Sequence, residues 1–418
     1  MDFFEIEGKN QLFGDIQISG AKNAVLPLMV ASILNNDKLT ISNVPNLSDS
    51  ITMANLLRGM GSEVELSDGK IHINSQSIND PYAPYNLVRK MRASFYVLGP
   101  LLSKFGEAKV SLPGGCAIGN RPIDIHIQGL RKLGATFEIE NGFVIGRVKD
   151  SLVGNNIKLS FPSVGATENI LMAAVLAIGK TVIINAAKEP EITDLAKCLN
   201  LMGAKINGAG TDIIEIEGVE SLNKTSHKIL SDRIVAGTFI IAAVMLNKNF
   251  KVCEINPKHL DSLINILKKM GANIKIKNTS IEISPSKNLK GILVKTSPYP
   301  GFPTDLQAQM MALMSIVKGN SQIKETIFEN RFMHVPELNR LGANIKIIKD
   351  VAYIQGNRKF VGAQVMASDL RASVSLVLAG ICAKGKTVIN RVYHLDRGYE
   401  KIEKTLGNQG PKIKREKI

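Results

Sequence analysis

The segment Leu267-Lys268-Lys269-Met270-Gly271-Ala272-Asn273-Ile274-Lys275-Ile276 decides the fold, because its pattern returns at regular intervals along the 418 residues. A glycine that follows an apolar residue, with another apolar residue three positions on, recurs at positions 61, 134, 203, 271, 342 and 410. The sixth copy, Gln409-Gly410-Pro411-Lys412-Ile413, is degenerate. A repeat of about 70 residues predicts one supersecondary unit per copy.

Each copy predicts the same order of elements. The glycine follows an apolar-periodic helix and stands where a helix C-cap belongs. Two alternating runs follow, such as 273–277 and 280–283, and they predict two strands joined by a turn. Each unit also holds a second helix that is apolar nearly all round, which predicts burial. These second helices begin near a polar residue, in most units a preferred N-cap type: Ser19, Arg92, Ser163, Ser231, Thr304 and Ser368.

The sixth unit runs out of chain before its second strand. Residues 3–12 have the same pattern as residues 213–222, so we expect the N-terminal strand to complete the sixth unit. Because one core seldom grows beyond about 250–300 residues, six units predict two three-unit domains, residues 21–228 and residues 1–20 with 229–418. The cleft between two domains is the default position for an active site. An open six-unit solenoid is the alternative, but an open array has no need of a closing strand.

Composition indicates a protein of the cytoplasm. Hydrophobic residues make up 44% and charged residues 21% of the chain, which is ordinary for a soluble globular protein. The longest apolar runs, 234–245 and 372–383, are shorter than the roughly 18 residues of a membrane span, and the acidic N-terminus does not resemble a signal peptide. The four cysteines are scattered and have no metal-ligand spacing. We therefore expect no membrane insertion and no metal.

The net charge of +15 is compatible with nucleic acid, an acidic membrane surface or small anionic substrates. Lysines are spread along the whole chain, aromatic residues make up only 5%, and tryptophan is absent. Single-strand binding usually uses aromatic stacking platforms, so nucleic acid is disfavoured as a partner.

One loop stands out, Ser111-Leu-Pro-Gly-Gly-Cys116-Ala-Ile-Gly-Asn-Arg121-Pro122. Two prolines enclose three glycines, which predicts a lid-like loop that carries a thiol beside an anion-binding arginine. A plain surface connection with an incidental cysteine is the alternative. Cys198, Cys253 and Cys382 lie among apolar residues and are expected to be packed core thiols.

Further candidates lie at helix starts and in a late polar loop. Lys22 begins the first buried helix, Arg92 belongs to a basic cluster, and Arg397 lies in the late loop. Asp305 follows a proline-rich turn, and cap statistics favour a plain N-cap there. A carboxylate can act as base, a thiol as acid or nucleophile, and arginines bind phosphate and carboxylate. The Walker A, strand-coupled GxGxxG and HExxH motifs are missing, so no cofactor is expected.

Long motifs make the chain resemble the enolpyruvyl transferases over its whole length. They are Ser19-Gly-Ala-Lys-Asn-Ala, Val88-Arg-Lys-Met-Arg-Ala-Ser, Leu112-Pro-Gly-Gly-Cys-Ala-Ile-Gly-Asn-Arg-Pro-Ile-Asp, Pro162-Ser-Val-Gly-Ala-Thr, Phe302-Pro-Thr-Asp-Leu-Gln-Ala-Gln, Phe328-Glu-Asn-Arg-Phe-Met-His-Val-Pro-Glu-Leu and Asp396-Arg-Gly-Tyr-Glu. The resemblance implies an α/β fold of two inside-out α/β barrel-like domains, each of three βαβαββ units. The C-terminal segment from Gly407 departs from the usual signature and puts the last helix cap in doubt.

The resemblance also implies a reaction, the transfer of the enolpyruvyl group of phosphoenolpyruvate to the 3′-hydroxyl of UDP-N-acetylglucosamine in peptidoglycan synthesis. Cys116 would protonate the methylene carbon and form a covalent adduct, and Asp305 would take the hydroxyl proton. Lys22, Arg121 and Arg397 would hold phosphoenolpyruvate. The implied nucleotide-sugar site comprises Asn23, Arg92, Arg121, Pro122, Ile123, Asp124, Ile125, Ser163, Val164, Gly165 and Ile327, with Arg331, Asp369 and Arg371 as weaker members.

Because the loop carries Cys116, the resemblance further implies covalent inhibition by fosfomycin at that thiol. The sister reaction on shikimate 3-phosphate is the nearest alternative, and the Cys116 and Arg121 loop argues against it. A non-catalytic nucleic-acid-binding module on the same repeats is supported only by the charge. An inactive paralogue is disfavoured because the implied site residues are intact.

Overall fold

The computed structural model describes residues 2–8, 11–89, 91–112 and 123–417. Its strands are β1 (Asp2–Glu7), β2 (Asp15–Gln17), β3 (Lys38–Ser42), β4 (Glu63–Ser67), β5 (Lys70–Asn74), β6 (Tyr82–Ala83), β7 (Glu107–Ser111), β8 (Thr136–Glu140), β9 (Phe143–Arg147), β10 (Asn156–Lys158), β11 (Lys180–Ile184), β12 (Lys205–Asn207), β13 (Ile213–Glu217), β14 (Thr225–Lys228), β15 (Phe250–Cys253), β16 (Asn273–Ile276), β17 (Ser280–Ser284), β18 (Leu293–Lys295), β19 (Asn320–Lys324), β20 (Ile345–Ile348), β21 (Val351–Gln355), β22 (Gln364–Met366), β23 (Lys386–Asn390) and β24 (Ile413–Lys417).

The α-helices are α1 (Lys22–Ala31), α2 (Ser48–Gly59), α3 (Tyr85–Val88), α4 (Leu98–Phe105), α5 (Asp124–Lys132), α6 (Val164–Ala174), α7 (Pro190–Leu201), α8 (Arg233–Leu246), α9 (Asp261–Met270), α10 (Gln307–Ile316), α11 (Val335–Arg340), α12 (Leu370–Cys382) and α13 (Ile402–Gly407). Short 3₁₀ segments span Ser32–Leu34, Arg92–Val97, Pro257–Leu260, Thr304–Leu306 and Val392–Arg397.

The described strands form six four-stranded sheets of one topology. In each sheet the first two strands are parallel and the remaining pairs are antiparallel, in the orders β14-β3-β5-β4, β6-β7-β9-β8, β10-β11-β13-β12, β2-β15-β17-β16, β18-β19-β21-β20 and β22-β23-β1-β24. The sixfold repeat predicted from the sequence is confirmed, and so is the βαβαββ unit that the resemblance implies.

The predicted role of the N-terminal strand is also confirmed. Phe4 of β1 lies opposite Ile389 of β23 and Arg415 of β24, so the first strand of the chain completes the last sheet. The structure also shows a second closure, which was not predicted. Strand β14 pairs in parallel with β3 and so completes the first sheet. These closing strands rule out the open solenoid.

The chain divides into two compact units. The discontinuous unit comprises the described residues up to Ser19 together with 231–417, and the continuous unit comprises those from Gly20 to Leu230. Each unit has its own apolar core, built around the helices predicted to be buried. In the discontinuous unit α8, α10 and α12 pack against one another. Fully burying one Leu or Ile side chain contributes about 1.5–3 kcal/mol, so these helices supply much of each core.

The six repeated glycines adopt the left-handed conformation that the sequence predicts. Their φ values are 107° at Gly61, 100° at Gly134, 106° at Gly203, and 102°, 102° and 115° at Gly271, Gly342 and Gly410. Glycine tolerates this region without the steric penalty of a Cβ atom. Because Gly410 behaves like the others, the atypical C-terminal sequence still turns the chain from α13 into β24.

Two details of the buried helices differ from the sequence-based expectation. The segment from Arg92 to Val97 is a 3₁₀ turn, and the α-helix begins only at Leu98. Helix α1 begins at Lys22 after Ala21, and no side chain caps its start. At neither position does the preference of a polar residue for the N-cap determine where the helix begins. Among the described residues, no helix has both the length and the hydrophobicity needed to span a membrane.

Candidate functional site

The structure places the predicted site residues in two sets. The continuous unit holds the first set, which is Lys22, Asn23, Arg92, Ile123, Asp124, Ile125, Ser163, Val164 and Gly165. The discontinuous unit holds the second, which is Asp305, Ile327, Arg331, Asp369, Arg371 and Arg397. Cys116, Arg121 and Pro122 lie outside the described residues.

Lys22 is the first residue of α1 and is held by a carboxylate. Its Nζ lies 3.0 Å from Oδ2 of Asp49 in the first turn of α2, and the two side chains are 12% and 4% exposed. A lysine that merely extended into solvent would have no such buried partner. The ammonium group is therefore fixed in place, where its positive charge can attract an anion.

Arg92 and the starts of α5 and α6 are brought together around one imidazole. The Nδ1 atom of His126 lies 3.1 Å from Nδ2 of Asn169. Burial, and to a lesser extent the nearby positive charge of Arg92, lowers the pKa of His126 to about 4. His126 is thus neutral at pH 7, and Asn169 fixes the orientation of its ring.

Gly165 leaves room for close packing at the start of α6. A Cβ atom at this position would lie 2.9 Å from the Tyr96 ring and 3.3 Å from His126. The side chain of Ser163 caps the helix by accepting a hydrogen bond from the backbone N–H of Ala166 at 3.3 Å. A glycine-containing helix start with free backbone donors is suited to phosphate groups, because the helix dipole favours negative charge there.

Glu168 lies one turn further along α6 and is fully buried. Burial raises its pKa well above 4.5, and the neighbouring charge of Glu191 raises it further. Burial thus favours the uncharged form of this carboxyl group near the start of α6.

Three aspartates occupy equivalent positions in the discontinuous unit, and one behaves differently. Asp232 caps α8 and Asp369 caps α12, each by accepting two backbone N–H groups. Asp305 lies in the 3₁₀ segment Thr304–Leu306 that precedes α10. No side chain caps the start of this segment or the start of α10. The plain N-cap that cap statistics favoured at Asp305 is therefore wrong.

The Asp305 carboxylate is turned towards two buried arginines instead. Arg331 Nη2 donates to Asp305 Oδ1 at 2.7 Å, and Arg371 Nε lies 3.3 Å from Oδ2. Both arginine side chains are 5% exposed, whereas the Asp305 side chain is 24% exposed. Burial lowers the pKa of Arg371, but the carboxylate of Asp305 and the Tyr399 hydroxyl outweigh it, so the pKa is raised and the cation persists. An ionised carboxylate has about four acceptor sites, so Asp305 can accept a further hydrogen bond from a substrate hydroxyl.

Glu325 connects the residue before Asp305 with the segment that carries Ile327. Its Oε2 accepts from Thr304 Oγ1 at 2.9 Å, and its Oε1 accepts from the backbone N–H of Ile327 at 2.9 Å. Thr296 Oγ1 and the N–H of Phe328 also donate to Oε1, at 2.9 and 3.3 Å. One buried side chain thus holds both the neighbour of Asp305 and the predicted substrate contact Ile327.

Arg397 ends the 3₁₀ segment Val392–Arg397 and is half-buried. Two residues on, the Tyr399 hydroxyl lies 2.9 Å from Thr238 Oγ1 and accepts from Gln309 Nε2 at 3.4 Å. The same Gln309 amide donates to the backbone carbonyl of Asp305 at 3.0 Å. Hydrogen bonds therefore connect the chain next to Arg397 with the segment that carries Asp305.

The described thiols differ in burial. Cys198 is buried, as predicted, but Cys253 and Cys382 are only partly so, and all three are free thiols. Burial raises the pKa of both Cys198 and Cys382 to about 12. In the part of the chain that the structure describes, no group of His, Cys, Asp and Glu side chains is arranged to hold a metal ion.

Four residues that support the site were not predicted as site residues, namely Asp49, Gln309, Glu325 and Tyr399, although Gln309 and Tyr399 lie within the motifs that carry the resemblance. Each contacts a candidate residue, but each stands in an ordinary helical or loop context. Only their tertiary partners distinguish them.

Comparison with known proteins gives a family match over nearly the whole chain. The model of the family described as EPSP synthase (3-phosphoshikimate 1-carboxyvinyltransferase) matches residues 6–406. A UDP-N-acetylglucosamine 1-carboxyvinyltransferase of Pelagibacter ubique (strain HTCC1062) is 52% identical over 415 residues, which are 99% of this chain and 100% of that protein. The enzyme of the same name from Chelativorans sp. (strain BNC1) is 51% identical over 426 residues, with 99% of each chain covered.

Solved structures are similar over the full length as well. The enolpyruvyl transferase NikO from Streptomyces tendae has a TM-score of 0.90 at 24% identity, with 99% of this chain and 98% of that chain covered. EPSP synthase from Acinetobacter baumannii has a TM-score of 0.77 at 20% identity, with both chains fully covered. These likenesses confirm the predicted α/β fold.

Proposed function

The chain belongs to the EPSP synthase family of enolpyruvyl transferases, and on this basis we propose that it transfers the enolpyruvyl group of phosphoenolpyruvate to the 3′-hydroxyl of UDP-N-acetylglucosamine, releasing phosphate. The observation that carries the proposal is the carboxylate of Asp305, which faces two buried guanidinium groups instead of capping its helix. The names of relatives more than 50% identical favour the nucleotide sugar as acceptor. The reaction belongs to peptidoglycan synthesis and so serves cell-wall growth and division.

In the proposed mechanism, the Cys116 thiol protonates the C3 methylene carbon of phosphoenolpyruvate, while the sugar hydroxyl attacks C2. Asp305 accepts the hydroxyl proton, and Arg331 and Arg371 hold its carboxylate in place. The tetrahedral adduct then returns a proton from C3 to the Cys116 thiolate and breaks its C2–O bond to phosphate, which leaves with the proton held by Asp305. The product is an enolpyruvyl ether, and atoms and charge balance without a cofactor.

Substrate binding is assigned to the helix starts and the cations. Lys22, Arg121 and Arg397 neutralise the phosphate and carboxylate of phosphoenolpyruvate, because fixed cations stabilise charge that develops in the transition state. The backbone at Ser163, Val164 and Gly165 receives the diphosphate of the nucleotide sugar. The other contacts to the nucleotide sugar are Asn23, Arg92, Pro122, Ile123, Asp124, Ile125, Ile327 and Asp369.

The test is phosphate release from phosphoenolpyruvate with either UDP-N-acetylglucosamine or shikimate 3-phosphate as acceptor. We expect release only with the nucleotide sugar, and its loss in Cys116→Ala and Asp305→Asn. Release with shikimate 3-phosphate would transfer the chain to the sister reaction. Silence with both acceptors, together with salt-dependent retention of RNA on a filter, would favour the nucleic-acid-binding alternative.

Two further assignments belong to this proposal. Fosfomycin should inactivate the enzyme by alkylating Cys116, and mass spectrometry of the modified peptide would locate the adduct. The free thiols of Cys198, Cys253 and Cys382 fit a reducing compartment, so we place the protein in the cytoplasm. Cell fractionation with an antibody against the chain tests this location.

A further inference from the structure

Arg415 lies in β24, near the end of the chain, and forms ion pairs with three carboxylates. Its Nη1 and Nη2 donate to the two carboxylate oxygens of Asp396, at 3.0 and 2.5 Å. Its Nε lies 3.2 Å from Oε1 of Glu403, and its Nη1 lies 3.4 Å from Oδ2 of Asp2. The guanidinium group also stacks over the Phe4 ring, with 5.1 Å between Cζ and the ring centroid.

These contacts join four separate elements of the discontinuous unit. Asp2 belongs to β1, Asp396 to the 3₁₀ segment that ends at Arg397, and Glu403 to α13. The Arg415 side chain is 23% exposed and Glu403 is 9% exposed. A partly buried, bidentate arginine–carboxylate pair has a defined geometry. An exposed lysine–carboxylate pair does not, because the ammonium group acts as a point charge on a flexible side chain.

The bidentate pair between Arg415 and Asp396 restrains the backbone next to Arg397, because Asp396 immediately precedes Arg397 in the chain. On the other side of Arg397, Tyr399 is fixed by Thr238 and Gln309. Gly398 lies so close to α12 that an added Cβ atom would come within 2.5 Å of Leu370. The backbone around Arg397 is thus anchored on both sides, and Arg415 provides the anchor before it.

We propose that Arg415 is a positioning residue, which through Asp396 sets the backbone from which Arg397 binds phosphoenolpyruvate. This inference rests on the proposed function, in which Arg397 is a ligand of that substrate. Arg415 itself is not among the residues assigned to either substrate. Its contribution is orientation, since a displacement of about 1 Å in a binding group can cost up to about a hundredfold in rate.

The experiment compares the two Michaelis constants of Arg415→Ala with those of the wild type. We expect KM for phosphoenolpyruvate to rise about tenfold, while KM for the nucleotide sugar stays within about twofold. Arg415→Lys should be intermediate, because lysine keeps the charge but not the two-pronged geometry. Lys414→Ala is the matched control, since it removes one positive charge from the exposed face of the same strand.

A double-mutant cycle assigns the effect to the pair. Asp396→Asn should raise KM for phosphoenolpyruvate like Arg415→Ala, and the double variant should be no worse than either single variant. If Arg415→Ala fails to fold, Arg415→Lys and Asp396→Asn carry the same comparison. An unchanged KM for phosphoenolpyruvate, or an equal rise in both Michaelis constants, would overturn the inference. An inactive wild-type enzyme would instead refute the proposed function.

Discussion

Replacing Glu325 by alanine is the perturbation whose outcome the structure defines most closely. The side chain is 4% exposed and accepts four hydrogen bonds. Two of the donors are backbone N–H groups, at Ile327 and Phe328, which cannot rotate to find new partners. The other two are the hydroxyls of Thr296 and Thr304, which can turn and recover part of the loss.

The expected cost follows from these partners. A buried donor left without an acceptor costs about 1–3 kcal/mol, and two backbone donors with partial loss at the hydroxyls give about 3–5 kcal/mol. For a unit of this size that corresponds to a fall in Tm of roughly 10 °C. Glu325→Gln keeps one carbonyl oxygen for the backbone donors, so its cost should be about 1 kcal/mol.

Calorimetry and kinetics together test this reasoning. Because each unit has its own core, the unfolding transition of the discontinuous unit should move and that of the continuous unit should not. In steady-state assays, kcat/KM should fall about 10–100-fold, since Thr304 precedes the proposed base Asp305 and Ile327 is a proposed substrate contact. Glu329→Ala, at an exposed position four residues on, is the control and should leave Tm nearly unchanged. A Tm of Glu325→Ala within about 2 °C of the wild-type value would refute the expected loss of stability.

Three further outcomes follow from the site. Asp305→Asn should lower kcat about 10²–10⁴-fold in the phosphate-release assay while substrates still raise Tm, and near-normal turnover would remove this carboxylate from the mechanism. Iodoacetamide at pH 8 should label Cys116 well before Cys198 or Cys382, because a thiol with its pKa at about 12 is only about one part in ten thousand thiolate at that pH, and peptide mass mapping gives the order. Burial lowers the pKa of His334 from 6.5 to about 4, so the unfolded chain binds the extra proton first. The contribution of His334 to the free energy of unfolding is therefore fully present above pH 6.5 and is lost as the pH drops towards 4. His334→Gln should accordingly show a smaller fall in Tm between pH 7 and pH 5 than the wild type. An equal change of Tm with pH in the two proteins would contradict this assignment.

The sequence determined the repeating architecture, because that architecture depends on local chemistry. Glycine is the residue that most readily turns left-handed after a helix, and all six repeated glycines do so. A helix apolar on every side must be buried wherever it lies, which placed helices such as α8 and α12 inside their unit. Even the pairing of β1 with β23 and β24 followed from pattern, since the N-terminal strand matches the strand that the last unit lacks.

Only the tertiary structure decided which polar residues matter to the site. Asp232, Asp305 and Asp369 each follow a serine or threonine and share the same local preference for a helix start, and the proline-rich turn before Asp305 favours capping there too. Asp305 departs from that preference because Arg331 and Arg371, distant in sequence, bring two guanidinium groups to its carboxylate. Glu325 and Arg415 likewise acquire their roles from partners in other elements. Capping is a local equilibrium worth about 1 kcal/mol, and a charge-assisted bond to a buried cation, which only the folded chain provides, is strong enough to override it.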